Sequence, residues 1–370
     1  MRWCIGIEIG GTKLQIALGR GEGEPFRHLV RKVINPERGA LGIQNQIVAG
    51  IDELLQQTRV TREQVAGIGI GFGGPVDVDR GVIVTSHQVA GWDQFPLVKW
   101  FEADLGYSTI LQNDADTAAF AEAMFGAGRG FDPVMYVTVG SGIGGGLVCG
   151  GKIFRGCGAG AMEIGHMRPG TAPRHVAYPA ATVEAIASGF GIEERAQRAI
   201  ADWEKTTVFV DSRFERPQPT EGTVNTDPSA IAGRTPERCA VLLKLAGNDR
   251  KKITTRLIAQ AASQGDRLSR ELLADATETL GWAIAQAITL VNPARIVIGG
   301  GVSLIGQELF FEPVRNVCRA ETFGPFAKLA EIVPAALGEE VVVHGALALA
   351  RQAFVKEPNL QMFQPENPLI

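Results

Sequence analysis

One stretch before the middle of this chain holds most of the side chains that could do chemistry. Asn113 and Asp114 follow a short apolar run and precede an alanine-rich stretch, so we expect them where a strand ends and a helix begins. A Gly-rich turn at 140–146 comes next, and Glu163 and His166 follow between small residues, where we expect them to be buried. A carboxylate, a Gly-rich turn and a Glu–His pair together predict a site for a phosphate and a polyhydroxylated ligand.

Each of these residues also has a structural role open to it. Asp114 stands at a helix start, where Asp is a common N-cap. His166 could be a structural residue whose hydrogen bonds are met within the protein. Glu184, near the start of the next predicted helix, could interact favourably with the positive end of that helix's dipole. The turn at 140–146 matches GxGxxG, but a strand-like sequence follows where a dinucleotide fold needs a helix. A hairpin turn that faces a phosphate fits this stretch better.

Another glycine turn, the first in chain order, lies near the N-terminus. The apolar run WCIGIEI leads into Gly10, Gly11, Thr12 and Lys13, and LQIAL then resumes the strand pattern. Glycine lets backbone N–H groups approach an anion closely, while Thr12 and Lys13 add a hydroxyl and a positive charge. Glu8 stands just before the turn, where a carboxylate could hold Mg²⁺ directly or through water. The alternative is an ordinary hairpin turn, and the spacing is not that of a Walker A loop.

Composition limits the class of protein. The chain has 370 residues, a net charge of −4, 45% hydrophobic and 21% charged residues, which indicates a globular protein of two domains. The acidic balance and the lack of a basic run argue against nucleic acid as a partner. The five Cys form no CxxC pair, no apolar run is long enough to span a membrane, and no signal peptide precedes the first strand. We therefore expect a cytoplasmic protein, either a monomer or a homodimer.

The order of predicted elements indicates an α/β architecture in two units. The first unit ends at residue 115 and contains the N-terminal hairpin, helices at 38–57 and 96–105, and strands at 65–72, 82–84 and 109–111. The second, larger unit covers 116–343 and includes a polar excursion at 199–249. A helix at about 344–356 could pack back on the first unit, and 361–370 is expected to form a loose tail.

Taken together, these segments resemble the ROK family of sugar kinases and repressors, within the actin-like ATPase and hexokinase fold group. The likeness is carried by GIEIGGTK, GGPVD, QNDADTAA, VGSGIGGGLV, EIGHM, TVEAIASG and NPARIVIGGGVS, which occur in the family's order and cover nearly the whole chain. The resemblance implies two α/β domains of the actin-like, ribonuclease H-like fold with a cleft between them.

The resemblance also implies a reaction, in which ATP phosphorylates the 6-hydroxyl of a hexose or hexose derivative. Asp114 would accept the proton of that hydroxyl, while Mg²⁺ and the turn amides would stabilise the charge on the transferred phosphoryl group. The positions that match sugar contacts are Gly74, Asn113, Asp114, Glu163, His166 and Glu184. The turns expected to hold ATP are formed by Gly10, Gly11, Thr12, Lys13, Gly140, Ser141, Gly142, Gly299, Gly300 and Gly301.

Three departures from the family pattern bear on activity. Glu8 stands where the family usually has Asp, and Met162 replaces the usual Gly before Glu163. Many members carry a CxCGxxGC zinc motif after the His, whereas no Cys lies between His166 and Glu184. We therefore expect Mg²⁺ with the nucleotide and no zinc.

Other functions remain open at this point. A catalytically silent sugar-binding or sensing protein would explain Glu8 and the missing zinc motif, and a kinase of this kind could also use polyphosphate as donor. A repressor needs an N-terminal helix-turn-helix, for which the first glycine turn, starting at Gly10, leaves no room.

Overall fold

The computed structural model describes residues 2–86, 89–157, 160–170, 176–211 and 236–355, with the backbone alone for 204–211 and Pro236. The predicted tail at 361–370, the part of the polar excursion at 212–235, and residues 171–175 lie outside the described residues. Within the described part of the chain, no helix combines the length and the apolar character that crossing a membrane requires.

Two five-stranded sheets organise this mixed α/β fold. The strands of the first sheet are β1 (Trp3–Ile9), β2 (Lys13–Gly19), β3 (His28–Val33), β4 (Val65–Phe72) and, after a short hairpin of β5 (Val76–Asp77) and β6 (Val82–Ile83), β7 (Thr109–Asn113). The strands of the second sheet are β8 (Val134–Val139), β9 (Ile143–Cys149), β10 (Lys152–Ile153), β11 (Arg295–Gly299) and β12 (Glu331–Pro334).

The two sheets repeat one pattern of pairing. Their strand orders are β3-β2-β1-β4-β7 and β10-β9-β8-β11-β12. In each, three antiparallel strands are extended by two parallel strands. Continuous apolar runs bury β1, β2 and β4 on both faces, as expected for strands covered by helices.

The helices cover these sheets and connect them. They are α1 (Gly39–Thr58), α2 (Leu97–Asp104), α3 (Asp114–Phe125), α4 (Val183–Ala187), α5 (Gly189–Asp211), α6 (Pro236–Leu245), α7 (Thr255–Ser263), α8 (Arg267–Val291), α9 (Glu312–Glu321) and α10 (Val341–Phe354). Helices α4 to α9 share one large apolar core with β8, β9 and β11, and α1 and α2 share a second core with the first sheet.

Helix α3 contacts both sheets, and helix α10 packs on the first sheet and shares an apolar cluster with β8 and β11 of the second. The alanine-rich α3 is buried on all sides and follows β7 directly. A Cβ atom at Gly345 of α10 would lie 2.0 Å from the carbonyl oxygen of Thr117, so only glycine permits this close crossing of the two helices. A Cβ at Gly69 of β4 would lie 1.9 Å from the carbonyl oxygen of Ala346, which explains how α10 packs directly on the first sheet.

Two predicted segments differ from the structure. The polar excursion predicted to begin at 199 starts inside α5, which continues to Asp211. The sequence of residues 303–320 predicts a single helix. The structure instead has a 3₁₀ turn (Gly301–Ile305), a π turn (Gln307–Phe311) and α9, because Gly306, at φ +105°, interrupts the helical backbone. The boundary predicted at residue 115 falls in the first turn of α3 and remains a prediction.

Candidate active site

The N-terminus of α3 is capped by Asn113, which leaves the carboxylate of Asp114 available. The Asn113 side-chain oxygen accepts hydrogen bonds from the N–H groups of Ala115 (2.8 Å) and Asp116 (3.2 Å). Its amide nitrogen donates to the carbonyl oxygen of Gly74 at 3.1 Å, which ties β7 to the turn after β4. The cap is therefore Asn113, and Asp114 occupies the first helical position.

The carboxylate of Asp114 is held in a poorly hydrated place. One of its oxygens accepts the N–H of Ala115 at 2.8 Å. Burial raises the pKa of Asp114 to about 6, with a further increase from the negative charge of Glu163, while Lys13 acts in the opposite direction. A carboxylate with this pKa is ionised at neutral pH and still accepts a proton readily.

A cavity of about 380 Å³ brings Asp114 together with residues from distant parts of the chain. Glu8 and Lys13 of the first hairpin face it, and so do the three glycines Gly299, Gly300 and Gly301 after β11. Gly300 has φ +87°, and a Cβ there would lie 2.5 Å from the carbonyl oxygen of Val139. The remaining wall is formed by Ala115, Ala118, Tyr136, Thr138, Ser303, Leu304, Phe311, Pro334, Ala335, Gly338, Glu339, Val341 and Val342.

Glu8 and Lys13 form an ion pair at the edge of this cavity. The Nζ atom of Lys13 lies 3.2 Å from one Glu8 carboxylate oxygen and donates to the carbonyl oxygen of Glu339 at 3.1 Å. The other Glu8 oxygen is buried without a hydrogen-bond partner in the described structure. Burial raises the pKa of Glu8 to about 7, and Lys13 offsets part of that increase. A buried carboxylate oxygen without a partner is a hard ligand of the kind that Mg²⁺ prefers.

The described residues hold no cluster of three or more Asp, Glu, His or Cys suited to a metal ion. Glu8 therefore fits a Mg²⁺ ion that takes most of its ligands from phosphate and water, as is usual where Mg²⁺ accompanies a nucleotide.

The glycine turn at 140–142 is held on one side by hydrogen bonds with residues of α4 and α5. The N–H groups of Gly189 and Phe190 donate to the carbonyl oxygens of Gly140 (2.8 Å) and Ser141 (3.3 Å). Glu184 accepts the N–H of Ile143 at 2.8 Å, and a Cβ at Gly142 would lie 2.6 Å from the same carboxylate oxygen. On its other side the turn is open, since a Cβ at Gly140 would meet no atom within 4 Å.

Glu163 directly precedes a short 3₁₀ turn, Ile164–His166, and His166 is the last residue of that turn. The expectation that both are buried is wrong, because their side chains are 63% and 46% exposed. The small neighbouring residues are too short to cover the side chains of Glu163 and His166. Their side chains lie 4.0 Å apart, between Nε2 of His166 and a carboxylate oxygen of Glu163. Both are accessible to a ligand from solution.

Tyr178 contacts His166 and was missed by the sequence analysis. Its hydroxyl oxygen lies 2.6 Å from Nδ1 of His166. The same loop is closed by hydrogen bonds from Arg168 to the carbonyl oxygen of Val176 (2.8 Å) and from Val183 to that of Met167 (2.9 Å). The signal available in the sequence was that Tyr178 is the only Tyr between His166 and Glu184, in the window that lacks Cys.

Asp116 is a second carboxylate that the sequence analysis passed over. It is 2% exposed, and one of its oxygens has no hydrogen-bond partner in the described structure. Burial raises the pKa of Asp116 to about 7, and the negative charges of Glu163 and Asp114 raise it further, against the effect of Arg155. Asp114, Asp116 and Glu163 therefore form one electrostatically coupled group.

The structure thus gathers only some of the predicted site residues in one cavity. Its described lining includes Glu8, Lys13, Asp114 and Gly299 to Gly301. Outside that lining stand the remaining predicted positions, namely Gly10, Gly11, Thr12, Gly74, Asn113, Gly140, Ser141, Gly142, Glu163, His166 and Glu184. Of these, Asn113 and Gly74 are tied to the start of α3, and Glu184 is tied to the second glycine turn.

Two five-stranded sheets with the same strand order, together with a cavity lined by Asp114 and the glycines after β11, define an actin-like ATPase fold of the sugar-kinase type. A ROK family glucokinase from Streptomyces griseus, solved in complex with glucose and AMPPNP, has this fold, with a TM-score of 0.73 and 29% identity over 95% of this chain and 99% of that chain. The ROK family model matches residues 4–353, and the chain belongs to the ROK family.

Two relatives of similar sequence identity are also named glucokinases. The glucokinase of Streptomyces coelicolor is 30% identical over 354 residues, which cover 95% of this chain and 98% of that protein. The glucokinase of Halalkalibacterium halodurans is 29% identical over 354 residues, which cover 95% of this chain and 96% of that protein.

Proposed function

We propose that this sugar kinase transfers the γ-phosphoryl group of ATP to the 6-hydroxyl of a hexose or hexose derivative, with Asp114 as the general base. The observation that carries the proposal is the cavity in which the Asp114 carboxylate meets Glu8, Lys13 and the glycines after β11. A sugar hydroxyl is a weak nucleophile, and a carboxylate within reach of it can orient it and accept its proton.

The surroundings of Asp114 make it suitable as a general base. Asn113 caps the N-terminus of α3, so Asp114 does not need both of its oxygens to accept the N–H groups at that end of the helix. Its pKa of about 6 keeps it ionised at neutral pH and gives it more basicity than an exposed aspartate.

The nucleotide is proposed to occupy the 380 Å³ cavity, with the adenosine beside Gly299 to Gly301 and the phosphates toward Lys13. Glu8 would hold Mg²⁺, which supplies positive charge to the phosphoryl group when it is bound. The two hairpin turns at 10–12 and 140–142 would contribute backbone N–H groups to the phosphates. The S. griseus relative was solved with glucose and AMPPNP, which supports a nucleotide and a sugar as the two ligands.

The sugar is proposed to lie between Asp114 and the exposed pair Glu163 and His166. Carboxylate oxygens and imidazole nitrogens can hold adjacent ring hydroxyls through paired hydrogen bonds. Asn113, Gly74 and Glu184 would complete this contact set, although their described hydrogen bonds also stabilise the protein itself.

The alternatives have less support. A polyphosphate donor calls for several cationic side chains, whereas the described lining of the cavity contains Lys13 with Glu8, Asp114 and Glu339. A silent sugar-binding protein or a repressor has no need of a carboxylate with a raised pKa that faces this cavity. The family includes proteins named repressors, so the reaction has to be measured directly.

The test is a coupled ADP-release assay with Mg-ATP over hexoses, aminohexoses and N-acetylated hexosamines. Sugar-dependent ADP release with formation of a sugar 6-phosphate is expected for at least one of them. A parallel assay replaces ATP by polyphosphate and measures the sugar phosphate. Sugar binding without phosphorylation by either donor would contradict the proposal and favour the sensing role.

A further inference from the structure

Glu122 is a fully buried carboxylate near the C-terminal end of α3. Its side chain is 0% exposed. One oxygen accepts the N–H of Ala127 at 2.7 Å, and the other accepts the N–H groups of Ala336 and Leu337, each at 2.9 Å. The glycine at 126 makes room for this arrangement, since a Cβ there would lie 2.0 Å from a Glu122 oxygen.

The backbone that Glu122 holds belongs to the wall of the cavity. Residues 335–340 connect β12 to α10, and Ala335, Gly338 and Glu339 face the cavity directly. On one side this connection is tied to β11 through the bond from the Ala335 N–H to the carbonyl oxygen of Ile298 (2.9 Å). On the other side Lys13 donates to the carbonyl oxygen of Glu339. Between these two points, the carboxylate of Glu122 fixes the connection.

One rigid helix therefore carries both Asp114 and Glu122. They are eight residues apart, which corresponds to about 12 Å along a helix. The distance between Asp114 and the wall at 335–340 is set by α3 together with the bonds made by Glu122. We propose that Glu122 is a positioning residue, which holds this wall at the separation from Asp114 that nucleotide binding requires. The inference rests on the proposed function, because it takes the ligand of the cavity to be a nucleotide.

The chemistry calls for a carboxylate at this position. Two oxygens with several lone pairs can accept three N–H groups from two directions, and the negative charge strengthens each bond. A glutamine offers one acceptor oxygen, and its NH₂ group would face at least one of the same N–H donors. Glu122→Gln is nearly the same size, so it tests the hydrogen bonds without opening a cavity.

The experiment compares Glu122→Gln with Asp266→Asn. Asp266 is also buried, at 2% exposed, and accepts the N–H groups of Ser269 (2.9 Å) and Leu242 (3.2 Å), but it does not face the cavity. Both changes should lower the melting temperature. Only Glu122→Gln should raise the KM for ATP, by about tenfold for the loss of one charge-assisted hydrogen bond, with the KM for hexose changed less than about twofold.

A second pair of variants covers the case in which Glu122→Gln does not fold. Leu337→Pro removes one N–H donor at a residue whose φ of −88° is close to that of proline, and Leu337→Ala removes the same side chain but keeps the N–H. The KM for ATP should rise in the proline variant beyond its value in the alanine variant.

Two outcomes would overturn the inference. One is an equal effect of Glu122→Gln and Asp266→Asn on the KM for ATP, and the other is an equal effect of the two Leu337 variants where Glu122→Gln does not fold. Failure of the proposed function is a separate result, because the wild-type protein would then show no saturable dependence on ATP at all.

Discussion

The hydroxyl of Tyr178 lies 2.6 Å from Nδ1 of His166, so one ring nitrogen of this exposed histidine is already engaged while Nε2 faces Glu163. A hydrogen bond at Nδ1 fixes the orientation of the imidazole and determines which nitrogen remains for a ligand. The loop that carries Tyr178 thus orients the His166 ring through the phenol hydroxyl, in the window from His166 to Glu184 that contains no Cys.

Tyr178→Phe should weaken sugar binding selectively. Loss of one hydrogen bond leaves the His166 ring free to rotate, and a rise in the KM for sugar of about 2- to 10-fold is expected. The KM for ATP should change little. Steady-state kinetics with each substrate varied in turn measure both values. Tyr107→Phe, which removes a hydroxyl in the first sheet's core, is the control, and an equal rise in that variant would argue against the role of Tyr178.

Asp114→Asn should abolish phosphoryl transfer while sugar binding largely survives. The amide keeps the size and the hydrogen bonding of the side chain but cannot accept a proton. Turnover should fall by about 10³-fold or more, as expected when a general base is removed. Sugar binding is measured by calorimetry in the absence of ATP. Near-normal turnover in this variant would remove Asp114 from the catalytic role.

The same residue predicts the acidic side of the pH profile. Asp114 acts as a base only when it is ionised, and its pKa is about 6. The value of kcat/KM should therefore fall as pH decreases through 6, by about tenfold per pH unit below it. The negative charge of Glu163 raises the pKa of Asp114, so Glu163→Gln should move the midpoint to lower pH. A profile that stays flat down to pH 5 would contradict this assignment.

Glu8→Gln should raise the Mg²⁺ requirement and lower turnover without unfolding the protein. The buried oxygen without a partner would be replaced by a group that binds Mg²⁺ poorly, and the pair with Lys13 would be lost. An increase of roughly tenfold or more in the half-saturating Mg²⁺ concentration is expected. Glu53→Gln, which removes an exposed carboxylate paired with Lys32, controls for the change in charge. Unchanged Mg²⁺ dependence would leave Glu8 as a structural residue.

Asp116→Asn should stabilise the protein at high pH. The pKa of Asp116 is raised to about 7, so its ionisation disfavours the folded state. This destabilisation is absent below about pH 4, grows as pH rises and is complete above about pH 7. At pH 8 the variant should gain about 4 kcal/mol in the free energy of unfolding, because a rise in pKa from 3.8 to about 7 costs ~1.4 kcal/mol per unit, and at pH 4 no gain is expected. Urea denaturation at the two pH values measures it, with the exposed Asp104→Asn as control.

The purified protein should be folded and active without zinc. Zinc sites in this family are expected to use thiolates with a His, and no Cys lies in the window from His166 to Glu184. Of the five Cys, Cys4, Cys239 and Cys318 are buried in apolar cores. Elemental analysis of protein purified without chelator should find far less than one zinc per chain. Stoichiometric zinc, or a large fall in melting temperature with a zinc-selective chelator, would contradict the prediction.

Local sequence patterns predicted the strands that carry the site. β1 and β4 have the predicted bounds, because an apolar run that ends in glycines leaves little choice of strand limits. Relations between distant residues were not available from such patterns. The contact of Tyr178 with His166 and the bonds from Glu122 to residues 336 and 337 depend on the tertiary fold. The exposure of Glu163 was mispredicted because small neighbouring residues do not themselves cover a side chain.

The repeated strand order of the two sheets has a consequence for how two ligands meet. Each half contributes a hairpin with a three-residue turn, at 10–12 and at 140–142, and each has a glycine pair after its fourth strand in chain order, at 73–74 and at 300–301. The last strand of each half leads to α3 or α10, and these helices meet at Thr117 and Gly345. The two halves therefore repeat the same order of elements and meet at that crossing. A ligand held by one half and a ligand held by the other would therefore meet backbone turns of the same kind.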